Sequence, residues 1–327
     1  MKNSNQIDKL MNEGFEALEL YDTKKAIKIG KQLKRLKHTS AFEILALAYA
    51  DDEKLKKAIK ILEEGVRIAP TLWRLWQLLG NYRSDNEEYD EAQICYIKAL
   101  ECPITNSPSI RYNSTIAYFR EEKYLDAEKQ INLIDIEALK NEEENHSLAL
   151  DIYSKHISIF NQLKKYQEAL KIASKVLKQK WNEMCTGELA SFYIAHADTL
   201  WLSGNKKDAL SFLWKSIKLN HKNQDTLTLI RQIENKSSNT AKYYRILIEG
   251  IWSKALQDED EEQGFFINYY VVAENLDQGL TFIKRVEPKE YYSSISINEH
   301  EVLQADCDDL LGVYEVDEAY WSFRLEK

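Results

Sequence analysis

Apolar and small residues recur at helical spacing along most of the chain, in blocks of similar length. In the block Trp73–Leu100, Trp76, Leu79 and Gly80 precede a polar stretch, and Tyr89, Ala92, Tyr96 and Ala99 follow it. Steps of three and four place each set on one face of a helix. The block therefore predicts two helices joined by a short turn. The same order returns upstream at Phe42, Leu45, Ala46, Tyr49, Leu55, Ala58, Leu62 and Pro70, and downstream at Tyr118, Tyr124, Ala127 and Ile131. Ala58, Ala92 and Ala127 lie 34 and 35 residues apart. Looser copies carry Tyr166, Ala169 and Ala173, then Gly204, Ala209 and Leu213, with Ala26, Gly30 and Leu33 at the start. The later steps of 42 and 40 residues predict longer helices or longer turns. About six helical hairpins result.

A hairpin of this length cannot bury its apolar stripe alone, so neighbours must stack. Gly80, Ala46, Ala92 and Ala99 are small where helices cross closely. Tyr89, Tyr96, Tyr124 and Tyr166 fill the wedge between hairpins. The opening Trp76-x2-Leu79-Gly80, followed by Tyr89, Ala92, Tyr96 and Ala99, resembles the tetratricopeptide repeat, whose period is 34 residues. The resemblance covers residues 5–235. It implies an α-solenoid in which the first helix of each hairpin lines a groove that holds a peptide or a partner helix. Carried onto this chain, the groove positions are Arg74, Gln77, Asn81, Tyr112, Ile116, Phe119, Arg120 and Asn161. Members that grip a C-terminal carboxylate use paired Lys and Asn there; Asn81 is present without a matching lysine pair.

The pattern changes near Lys236–Thr240. Residues 241–252 and 264–275 are β-branched and aromatic and predict two strands. Residues 275–288 predict a helix, capped by Asn275 or Asp277, with Leu280 and Ile283 on one side and Pro288 ending it. Residues 291–298 and 312–325 predict two further strands, with a short helix across His300–Leu310. The fold class is thus mostly α, a solenoid over 1–238 followed by a small acidic α+β domain over 239–327. That domain resembles small α+β domains of bacterial toxin–immunity systems.

Composition supports this division. Gly (10) and Pro (4) make up about 4% of 327 residues, against a usual ~12%, so turns are scarce and helices long. Residues 241–327 hold 8 Lys and Arg against 19 Asp and Glu, a net −11, while the remainder is +2. No basic footprint marks a nucleic-acid or anionic-membrane partner. There is no signal-like start and no apolar run of membrane-spanning length, so a cytoplasmic protein is expected. The resemblance of the acidic domain to bacterial toxin–immunity domains implies a bacterial one.

Candidate chemistry is sparse. Cys95, Cys102, Cys185 and Cys307 form no CxxC pair, and His156 and His196 sit at repeat-core positions. Asp258–Glu262 lacks a calcium-loop pattern. No nucleophile, phosphate-loop or dinucleotide motif is present, so no catalytic residue, metal or cofactor is expected. Asp306, Asp308 and Asp309 form an acidic patch suited to a basic partner. The expected function is a non-enzymatic protein-interaction scaffold. The alternative is an immunity-type inhibitor that masks a toxin or effector through its acidic domain.

Overall fold

The computed structural model describes residues 2–103, 107–253, 263–289, 292–304 and 309–324. The chain forms two compact units, Met1–Ala138 and Leu139–Lys327.

The first unit is helical. Its helices are α1 (Lys2–Glu19), α2 (Thr23–Arg35), α3 (Ser40–Asp51), α4 (Leu55–Ile68), α5 (Trp73–Asp85), α6 (Tyr89–Leu100), α7 (Ser107–Arg120) and α8 (Tyr124–Ile131). They pair in order as four hairpins. A short α9 (Ile136–Leu139) and a 3-10 turn (Glu143–Asn145) follow. The second unit continues with α10 (His146–Gln162), α11 (Tyr166–Val176), α12 (Thr186–Leu202) and α13 (Lys206–Leu219), two more hairpins, and then α14 (Gln224–Glu234).

One local rule builds all six hairpins. Each turn between paired helices holds a residue with positive φ: Tyr21, Glu53, Glu87, Glu122, Lys164 and Gly204. The next N–H bonds to the carbonyl five residues back, as in Asp22 to Ala17 (2.8 Å), Glu88 to Arg83 (2.8 Å) and Asn205 to Leu200 (2.7 Å). This closure satisfies carbonyls left open at a helix end and reverses the chain. Five residues after each positive-φ residue stands an alanine: Ala26, Ala58, Ala92, Ala127, Ala169 and Ala209, all fully buried. The turn sets the register, and the alanine sits where the helices meet. Gly80 has the same origin, since a Cβ there would lie 2.7 Å from the Tyr96 ring. Both long steps have a physical cause. The 42-residue step contains α9, the 3-10 turn and a 17-residue α10, and the 40-residue step contains the 177–185 connection and a 17-residue α12.

The second unit ends in an antiparallel sheet. β1 (Lys242–Trp252) and β2 (Gln263–Ala273) form its centre, followed by α15 (Leu276–Val286), β3 (Tyr292–Leu303), β4 (Gly312–Val316) and β5 (Trp321–Arg324). The order is β3-β1-β2-β4, with β5 also on β2. As expected, Asn275 caps α15, accepting from Gln278 N at 3.0 Å. Two expectations are corrected. The helix across His300–Leu310 does not form at its start: His300–Leu303 continue β3, paired with β1 from Tyr243 to Ile246. The strand over 312–325 is two strands. β4 pairs with Tyr269–Val272 and β5 with Gln263–Phe266. The chain steps off β2 between them because Tyr320 turns inward, donating to Glu287 Oε1 at 2.7 Å.

Helix gives way to strand between Glu234 and Lys242. The core does not stop there. Leu213, Ile217, Leu227, Ile230 and Ile233 of α13 and α14 share one apolar cluster with Ile246, Ile248, Phe265, Ile267 and Val271 of the sheet. Arg231 of α14 stacks on the Tyr314 ring at 3.7 Å and donates to Val313 O at 2.6 Å.

Candidate functional site

In the first unit α5 packs beside α3 on one side and α7 on the other. A pocket of about 170 Å³ lies on α5 and α7, lined by Asn81, Ser84, Asp85, Asn113, Ile116 and Arg120, with Tyr96 at its base. Helical spacing puts Asn113, Ile116 and Arg120 on one stripe of α7, and Asn81, Ser84 and Asp85 on one stripe of α5. The Asn81 carboxamide oxygen accepts from Tyr96 Oη (3.1 Å) and from Asn113 Nδ2 (2.9 Å). With the oxygen so engaged, the amide nitrogen of Asn81, a lining residue, remains available as a donor. Arg120 Nη1 donates to Asp85 Oδ1 (2.8 Å) and to Ser84 Oγ (3.4 Å) across the two helices. Burial, then the Asp85 charge, holds the Tyr96 phenol well above its ordinary value, so it stays a donor. The pocket offers an amide donor, a guanidinium–carboxylate pair and one aliphatic wall.

Of the expected groove residues, Asn81, Ile116 and Arg120 meet in this pocket. Arg74 lies about two turns before Asn81 on α5, outside the pocket, and is ion-paired with Glu43 of α3, one repeat back. Gln77 and Tyr112 are half-buried and do not line the pocket. Phe119 packs edge-on against Tyr124 of its own hairpin, centroids 5.4 Å apart. Asn161 belongs to the second unit and is buried. It donates to Asp198 Oδ2 (2.9 Å) and accepts from Thr199 Oγ1 (2.8 Å). Its polar atoms serve that network, whose Asp198 is pushed up by burial. Asp309 is exposed with φ 53, whereas Asp306, Asp308, Cys307 and Asp258–Glu262 lie outside the described residues.

The sequence reading missed Asn113 and Asp85. The signal was present: Asn113 is seven residues before Arg120, two turns on one face, whereas Tyr112 is turned one position away. It also missed a buried polar cluster in the second unit. There Glu287 is almost fully buried and accepts from Tyr269 and Tyr320, with His221 Nε2 at 3.0 Å from Tyr320 Oη. Burial raises Glu287, and burial lowers His221 to about 4. No motif signals this cluster, because its members are drawn from four separate elements and loops.

His156 and His196 are buried among aromatic rings. Burial, then Lys215, lowers His196 to about 4. Among the described residues no three His, Cys, Asp or Glu side chains gather as a metal site. No described helix is long and apolar enough to cross a membrane.

With the geometry of the hairpins established, comparison with known proteins decides their class. The tetratricopeptide repeat model matches residues 39–72 and 74–101, which span α3/α4 and α5/α6. The chain carries tetratricopeptide repeats. The pocket therefore lies on the first helices of one matched repeat, α5, and of the repeat after it, α7. A TPR repeat-containing protein of Methanocaldococcus jannaschii, MJ1428, is 30% identical over 246 residues, 73% of this chain. The match covers 39% of that protein, so this chain spans well under two thirds of its relative's length. Two solved structures share the repeat fold. PilF of Pseudomonas aeruginosa superposes with a TM-score of 0.54 at 12% identity, covering 72% of this chain and 100% of PilF. The type IV pilus biogenesis factor PilW gives 0.54 at 15% identity, covering 68% of this chain and 98% of PilW. At these identities the likeness is one of fold.

Proposed function

We propose that this protein is a non-enzymatic, cytoplasmic interaction scaffold that holds a peptide segment or partner helix on the first helices of its repeats. The observation that carries the reading is the α5–α7 pocket. It presents an unspent amide donor on Asn81 and an aliphatic wall at Ile116 between stacked repeats. An extended peptide has one carbonyl per residue to accept from such an amide. Apolar side chains of the ligand pack on Ile116, and Arg120 with Asp85 supplies charge selectivity at the rim.

The test is capture of partners from the native host by the 327-residue chain and by an Ile116→Ala, Arg120→Ala variant. Truncating central anchors typically costs ~2 kcal/mol or more, so capture is expected to fall at least tenfold with the melting midpoint nearly unchanged. Unchanged capture by the folded variant would remove the pocket from the function. The alternative reading, inhibition of an effector through the acidic C-terminal region, concerns a different surface.

A further inference from the structure

The sheet has two unlike faces. One carries Tyr244, Ile246, Ile267, Tyr269 and Val271 and is buried under α14 and α15. The other lies outside that core cluster. Its layout follows from the register, because residues opposite one another on neighbouring strands share a face. One row runs Glu301, Arg245, Tyr270, Glu315 across β3, β1, β2 and β4. The next runs Glu299, Leu247, Asn268, with Asp317 accepting from Asn268 Nδ2 at 2.9 Å. A further row places Glu249 beside Phe266.

Two features coincide on this face. An apolar stripe of Tyr243, Leu247, Tyr270 and Phe266 runs down its centre, every member half-buried and outside the core cluster; Tyr243 packs edge-on against Tyr314 (5.7 Å) and Phe266 stacks on Phe323 of β5 (4.6 Å). Carboxylates flank the stripe on both sides, Glu299 and Glu301 on β3, Glu315 and Asp317 on and just beyond β4. Among the described residues of β1–β4, Arg245 is the one cation on the face, and it is spent on Glu301 at 3.0 Å; at the Asp317 end, Lys222 donates to Glu318 O at 2.7 Å and acts on Asp317. Burial, then Asp317 and Glu315, raises the Tyr270 phenol, consistent with a negative local field.

We propose that this outer face is a second docking surface, and that its partner is a protein segment presenting apolar side chains flanked by lysine or arginine. Charge complementarity carries the choice. An anionic or neutral segment would desolvate Glu299 and Glu315 without compensation, whereas a basic one meets carboxylates on both sides of its apolar anchors. The surface is separate from the α5–α7 pocket and does not depend on it.

The experiment uses the full chain and two synthetic peptides, one alternating lysine with tyrosine and leucine, the other with glutamate in place of every lysine. Binding is followed by fluorescence anisotropy, with backbone amide shifts to locate it. The lysine peptide is expected to bind and to shift amides of β1 and β2, and the glutamate peptide to show no binding. A Glu299→Gln, Glu301→Gln, Glu315→Gln variant, altered only at exposed positions, is expected to bind at least tenfold more weakly. Arg245→Gln removes the opposing cation and is expected to strengthen binding about threefold. Ile116→Ala with Arg120→Ala is expected to leave it unchanged. The proposal is overturned if neither peptide binds, if the triple variant binds as well as the parent, or if Arg245→Gln weakens binding. Loss of binding in the Ile116 and Arg120 variant would assign the peptide to the α5–α7 pocket instead.

Discussion

The repeat hairpins and the sheet bury their side chains over different distances in sequence. In the hairpins the contacts that join neighbours span about one repeat: Arg74 to Glu43 is 31 residues, Asn113 to Asn81 is 32, and Arg120 to Asp85 is 35. In the sheet, β1 to β3 pairing joins Tyr243 to Leu303. Arg231 reaches Val313 over 82 residues, and His221 reaches Tyr320 over 99. A stack held by nearest neighbours loses stability one interface at a time. A core assembled from distant segments loses it together. The difference teaches that α13 and α14, though helical like the repeats, depend on the sheet.

Cutting the chain tests this most severely. A fragment 139–238 lacks the sheet and exposes Leu213, Ile217, Leu227, Ile230 and Ile233. At ~1.5–3 kcal/mol for each buried apolar side chain, the loss is roughly 10 kcal/mol, comparable to a whole domain's stability. Fragment 1–138 keeps four complete hairpins. We expect 1–138 to unfold cooperatively in urea, followed by circular dichroism, and 139–238 to show no cooperative transition. A native-like melt of 139–238 would mean that its helices stand without the sheet and would erase the contrast.

A smaller effect sharpens the picture of the repeats. Ala92 is fully buried where α6 meets its neighbours. Ala92→Leu overpacks that crossing, and a loss of about 1–3 kcal/mol is expected in urea melts. Equal stability would show that the crossing has slack and that the alanine register is not what holds the hairpin.

The smallest expected effect isolates the turn. At Gly204, φ is 91, and a Cβ would meet nothing within 4 Å. Gly204→Ala therefore meets only the backbone penalty of a side chain at positive φ, about 1 kcal/mol. The same turn position holds Glu87 and Lys164 elsewhere, so a loss well above 2 kcal/mol would mean that the α12–α13 turn differs in kind from the others.

Much of the helical part was legible in the chain. The six alanines fall where the pattern places them, because the turn, the first buried alanine and the next aromatic lie within one or two helical turns of one another. Such spacing is a local property, fixed by 3.6 residues per turn. β1, β2 and the Asn275-capped α15 were legible for the same reason: strand-forming composition and a side-chain cap act over a few residues. In the pocket, Asn81, Ile116 and Arg120 were reached by projecting the repeat onto one face, and Asn113 was missed by a single position on α7.

Tertiary structure decided the rest. Nothing local distinguishes one strand over 312–325 from two. The break arises because β2 offers Tyr269–Val272 and Gln263–Phe266 as separate edges, and because Glu287 takes the Tyr320 hydroxyl. Nor does composition say which face of the sheet stays uncovered. That follows from α14 and α15 packing on the Ile246 side, which leaves Tyr243, Tyr270 and their flanking carboxylates outside. Alternation along a strand names two faces, but the choice between them is made by segments distant in sequence, through the apolar area their packing removes from water.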